Sequence, residues 1–102
     1  MPDIIAGLGA SSAVSATTTP ALLLSHSTVN RAGVLLANTD ATKRLFVVLS
    51  SDFTNAPTIN STTYHYAITA GTTSQLGVGS GVAIWIASES GTIATNAIEV
   101  QF

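Results

Sequence analysis

A chain of 102 residues is long enough for one compact domain and short for two, because each half would have too little apolar surface to bury. Hydrophobic residues make up 46 % and charged residues only 8 %, against roughly 25 % charged in an ordinary soluble domain; that balance excludes a disordered chain and leaves neutral polar groups to build the surface. The net charge of -2, with Arg31, Lys43 and Arg44 as its cations, gives no basic footprint for nucleic acid, and the absence of cysteine excludes disulfides, a thiol nucleophile and thiolate metal sites.

Residues 1–20 are rich in Ala, Ser, Thr and Gly, and the tract Ser11–Pro20 sustains neither a helical nor an alternating period. The segment reads as an extended arm that would order against a neighbouring molecule, where its β-branched threonines favour an extended backbone. Met1–Ala10 lacks a basic region ahead of its apolar residues and contains Asp3, so a standard secretory signal is not expected. No apolar run approaches the roughly 20 residues of a membrane span, and the expectation is a soluble intracellular product with no membrane partner.

From Ala21 onward, short apolar runs alternate with turn residues at the spacing of a β-sandwich. Strands are predicted at Ala21–His26, Gly33–Asn38 and Lys43–Ser50, with Asn38-Thr39-Asp40 supplying turn chemistry before the third. In that third strand Leu45, Val47 and Leu49 face one way and Phe46 and Val48 the other, so both faces should be buried. Ser51–Ser61, with Asp52, Asn55, Pro57 and Asn60, is predicted to be a surface loop between sheets. Thr63–Thr69 sets Tyr64, Tyr66 and Ile68 against His65 and Ala67, the period of a half-buried strand, and Ala70-Gly71 is the turn after it.

Ser74–Val78 is the next strand, followed by the glycine cluster Gly77-Val78-Gly79-Ser80-Gly81. In Val82–Ser88 the residues Val82, Ile84 and Ile86 oppose Ala83, Trp85 and Ala87, and Glu89-Ser90-Gly91 turns the chain again. Thr92–Thr95 and Ala97–Phe102 complete the set, with Phe102 expected in a sheet or an interface. No window carries helical periodicity with a cap. The predicted class is all-β: a two-sheet antiparallel sandwich or jelly roll over residues 21–102, preceded by the extended N-terminal arm.

The stock of titratable groups is small: Asp3, Asp40, Asp52, Glu89, Glu99, His26 and His65, with the three cations. A Ser-His-Asp set can be drawn from His65, Asp52 and any serine, but no Gly-x-Ser-x-Gly elbow occurs. The two histidines and scattered carboxylates lack metal-ligand spacing, so no catalytic residue, cofactor or metal is predicted. The glycine cluster lacks the Lys-Ser/Thr and helix of a phosphate cradle and reads as a β-turn or bulge. Asn60-Ser61-Thr62 is a chance match to a glycosylation acceptor. Tyr64, Tyr66 and Trp85 are the aromatic residues able to form a platform, whether for sugar or for a protein neighbour.

The run Asn30–Thr39, followed by Leu45–Leu49 and Tyr64–Gly71, resembles small virion proteins encoded among tailed-phage head genes. Gly81–Trp85, Gly91-Thr92-Ile93 and Glu99-Val100 fit the same pattern. The resemblance covers most of residues 28–102 and implies a capsid decoration or cement protein: a β-sandwich or jelly-roll module, often a homotrimer, bound to the major capsid protein on the outside of a bacteriophage virion. It agrees with the shortage of charge, since a face covered by protein needs few ions. The candidate interface residues are Arg31, Tyr64, His65, Tyr66, Trp85 and Phe102. Two rivals stand beside this reading: a tail or fibre module binding host glycans through the aromatic residues, and a small hydrolase requiring a pocket that joins His65 to a serine and a carboxylate.

Overall fold

The computed structural model describes residues 7–23, 31–77, 79 and 81–101. They form eight strands: β1 Gly7–Ala16, β2 Ala21–Leu22, β3 Arg31–Asn38, β4 Leu45–Ser50, β5 Tyr66–Ile68, β6 Thr73–Leu76, β7 Ala83–Ser88 and β8 Ile93–Gln101. Two four-stranded sheets result, in the orders β1-β8-β3-β6 and β2-β7-β4-β5, and every pairing is antiparallel. β1 pairs with β8, β2 with β7, β3 with β6 and β4 with β5, as though one long hairpin had been rolled up on itself. That is the arrangement of an eight-stranded jelly roll, which resolves the predicted alternative. Among the described residues no helix is long and apolar enough to cross a membrane.

The predicted alternation explains how the layers form. Val34 and Leu36 of β3, Leu45 and Val47 of β4, and Ile84 and Ile86 of β7 meet between the sheets in one buried cluster that also takes in Ile68, Leu76, Ile93 and Ala97. The opposite set of β4 and β7, Phe46, Val48, Ala83, Trp85 and Ala87, forms a second cluster with Ile59 on the outer side of the β2-β7-β4-β5 sheet. Leu45–Val48 and all of β7 are therefore buried on both faces, as their unbroken apolar runs predict. Gly71 (φ 72°) and Gly91 (φ 58°) occupy left-handed positions in the two turns read from sequence, where a side chain would strain the backbone.

Two buried polar residues lock the end of the sandwich where β3 leaves its sheet. Asn38, 1 % exposed, donates through Nδ2 to the carbonyls of Lys43 (2.8 Å) and Ile68 (3.0 Å) and accepts from the Asp40 N–H through Oδ1 (3.0 Å). Thr95 donates through Oγ1 to the Val14 carbonyl at 2.6 Å. Both side chains are thus satisfied, which is the condition for burying them without a large penalty.

Four expectations need correction. Of the arm predicted at residues 1–20, Gly7–Ala16 is extended but pairs along β8 of its own chain; the ladder of backbone bonds holds a strand whose small side chains give little hydrophobic signal. The two strands predicted at Thr92–Thr95 and Ala97–Phe102 are replaced by one, β8 Ile93–Gln101, in which Asn96 takes an exposed outward position within the alternation. The loop after β4 does not pass between sheets: β4 and β5 are neighbours in one sheet. Tyr64 and Tyr66 do not share a face, because the chain bends at His65 before β5 begins. Phe102 and His26 lie outside the described residues.

Candidate functional site

The described ionic groups are spent on the fold. The described charged side chains are Asp40, Lys43, Arg44, Asp52 and Glu89, and four of them gather at the end of the sandwich around the start of β4. Lys43 Nζ lies 3.7 Å from Asp40 Oδ1 and Arg44 Nη2 3.4 Å from Glu89 Oε2. Backbone N–H groups of Thr42 and Lys43, then the Lys43 charge, hold the Asp40 carboxyl below its ordinary range. The Arg44 N–H and guanidinium do the same for Glu89. Asp52, just beyond β4, accepts from the N–H groups of Asn55 and Thr54 and from the Asn55 amide, and these lower its pKa too.

The outer side of the β2-β7-β4-β5 sheet is covered by its own chain. The β4–β5 connection folds back over it, bringing Ile59 and the half-buried Phe53 onto Phe46, Val48 and Trp85. Trp85, 6 % exposed, donates its Nε1–H to the Asp52 carbonyl at 2.9 Å. Tyr64 stacks on Phe46 with ring centroids 4.8 Å apart and planes at 18°, and the Arg44 guanidinium lies 5.2 Å from the Phe46 centroid. Trp85, predicted as an interface residue, is therefore internal: the loop whose turn residues were read as surface is the cover of an aromatic cluster.

His65 pins the return of that loop. Its N–H donates to the Val47 carbonyl at 2.9 Å, and its Nδ1 accepts from the Leu49 N–H at 3.0 Å, so the ring extends the β4–β5 ladder by one rung where the backbone has bent away. Tyr66, 48 % exposed, lies opposite Val47 at the open rim of the sandwich. Arg31 opens β3 opposite Gln101. The structure thus does not gather the predicted interface residues into one patch: Tyr64 sits on the covered outer face, Tyr66 leaves β5 on the other side, and Trp85 is buried in the outer cluster. Among the described residues no group of three His, Asp or Glu side chains is placed to hold a metal.

The outer side of the β1-β8-β3-β6 sheet is different in kind. Register places Ala13 beside Asn96 and Ser15 beside Ala94 across β1 and β8. Farther along the face, Leu35 lies between Ile98 and Gln75, and Ala37 between Asn96 and Thr73. Leu35 is 39 % exposed; Ala13, Ser15, Ala94, Asn96, Thr73 and Gln75 are exposed as well. Among the residues whose side chains are described, this face carries no charge, and no described segment covers it. Sequence reasoning missed it because single exposed apolar residues are unremarkable one at a time; the usable signal is the uncharged set Leu35, Ala37, Ala94, Asn96 and Ile98 at alternate positions of two strands. The chain matches no family model, no curated protein and no solved structure.

Proposed function

We propose that this protein is a structural module that docks on the subunits of a protein shell, with the outer face of the β1-β8-β3-β6 sheet as its contact surface. The observation that carries the reading is the neutrality of that face, in a chain that has covered the outer face of its other sheet with its own loop. A surface of Ala, Ser, Thr, Asn and Gln with a few apolar residues can be dehydrated against protein without stranding a charge. The likeness of residues 28–102 to tailed-phage virion proteins supplies the partner: the major capsid protein, bound on the outside of the capsid so that adjacent subunits are bridged and stabilised. Many copies acting on one shell make a weak single contact effective. No catalytic step or cofactor enters this function.

The test mixes purified protein with expanded capsids that lack it and measures co-sedimentation and thermal resistance. Binding with protection, lost in Leu35→Lys or Ala37→Lys variants that remain folded, is the expected result; no binding and no protection overturns the reading. The glycan-binding alternative has less to stand on, since Trp85 is buried with its N–H engaged and Tyr64 and Tyr66 lie on different sides of the sheet.

A further inference from the structure

The four sheet edges are unequal. Three are formed by very short strands: β6 of 4 residues, β5 of 3 and β2 of 2. The fourth is β1, 10 residues long, with β8 on one side and, among the described residues, no strand on the other. Monomeric β proteins blunt their edges with short strands, lysine, proline or bulges, because a long edge is a template for another strand. β1 has a bulge between Leu8 and Ser11; past it, Ser11–Ala16 runs in regular register without a charge or a proline.

The direction of the unpaired groups follows from alternation along the ladder. Thr39 donates its N–H to the Ala94 carbonyl, so the backbone groups of Ala94 point toward β3 and those of its neighbours Ile93 and Thr95 point toward β1. Their partners Ala16 and Val14 then face β8, and the Val14 carbonyl does accept from the Thr95 side chain. The N–H and C=O groups of Ser11, Ala13 and Ser15 are left aimed outward along the edge.

We infer that the β1 edge pairs antiparallel with the β1 edge of a second copy of this chain. The segment is self-complementary: a two-fold axis at Ala13 sets that residue opposite itself and Ser11 opposite Ser15 of the second copy, so each outward donor meets an outward acceptor. Small neutral side chains oppose one another across this register, and no like charges meet. The pairing joins two β1-β8-β3-β6 sheets edge to edge and doubles the uncharged face, independently of what that face docks on. It is two-fold, whereas the phage resemblance implies a trimer.

Sedimentation equilibrium of the unmodified chain over a wide concentration range tests it, together with amide exchange. The expected result is a monomer–dimer equilibrium in which the Ala13 and Ser15 N–H groups gain protection as the dimer fills. Ala13→Lys, which sets two lysines opposite each other at the axis, should raise the dissociation constant by about tenfold or more at low salt, with unchanged circular dichroism. Ser15→Pro removes an outward donor that the monomer does not use and should weaken the dimer with the fold retained. A chain that stays monomeric, a trimer, or a dimer indifferent to both substitutions overturns the inference.

Discussion

The two outer faces of this jelly roll solve the same problem in opposite ways. On the β2-β7-β4-β5 sheet the outward residues are large, Phe46 and Trp85 among them, and the β4–β5 connection folds over them to form a second core. On the β1-β8-β3-β6 sheet the described outward residues are mostly small and all uncharged, with Leu35 and Ile98 as the large apolar ones, and no described segment covers them. A large aromatic residue in the open must be covered, and the chain supplies the cover itself. Small uncharged residues tolerate water and also tolerate its removal, so their cover can come from another molecule. The difference separates surface built for this fold from surface left available to a partner.

Substitutions on the two faces should therefore behave differently, and the largest contrast is at Trp85. Trp85→Ala removes a buried ring and the hydrogen bond that anchors the loop at Asp52, and should cost about 3–5 kcal/mol in urea unfolding. An unfolding free energy that barely moves would mean the loop is no core at all. At the junction between the two sheets, Asn38→Ala leaves the carbonyls of Lys43 and Ile68 without their shared donor and should cost about 2–3 kcal/mol. Asn38→Asp should be no better, since it turns a carboxylate oxygen toward those carbonyls; a stable Asp variant would refute the donor assignment.

Acid should loosen the covered face and the charged end while leaving the neutral face untouched. The carboxyls of Asp40, Asp52 and Glu89 all sit below their ordinary values of 3.8, 3.8 and 4.5. Their contribution is present in full above those values. As pH falls through them the unfolded chain takes up protons first, so stability drops and the contribution is gone below the folded-state pKa values. The effect is modest because all three groups are solvated. Thermal melts of the wild type and of Asp52→Asn between neutral pH and pH 3 check it: the Asn variant should lose less stability on acidification.

The smallest effect on stability, and the most telling one for function, is expected at Leu35. Leu35→Lys alters an exposed position beside Ile98 and Gln75 and should shift unfolding by no more than about 0.5 kcal/mol, while abolishing capsid binding. Equal loss of stability and binding would erase the distinction between the two faces.

Much of this division is legible in the amino-acid sequence. Alternation sets Leu45 and Val47 against Phe46 and Val48 in β4, and Ile84 and Ile86 against Trp85 in β7, because large apolar residues at period 2 leave little choice of side; which faces share a layer follows only from the β4–β7 register. The turns at Gly71 and Gly91 were legible for a similar reason: few residues accept a positive φ. β1 was not legible, since Ser-Ser-Ala-Val-Ser-Ala carries its strand character in backbone bonds to a partner far along the chain. The fate of Trp85 was also hidden. Nothing local says that the loop carrying Asp52, Phe53 and Ile59 folds back over the ring instead of standing away from it. The candidate interface residues are aromatic or ionic by type, whereas the available face is built from described residues that are neither.

The rolled pairing also bears on how the chain comes to be folded. β1 is synthesised first, yet its partner is the last strand, and the β1–β8 ladder joins Gly7 to Gln101. Closing so long a loop is a slow step, and a nascent polypeptide on the ribosome must hold its first strand unmatched until the last one emerges. During that interval the central strands β4 and β7 are the most adhesive part of the chain. Refolding yield should accordingly fall with protein concentration well before the finished fold shows any instability.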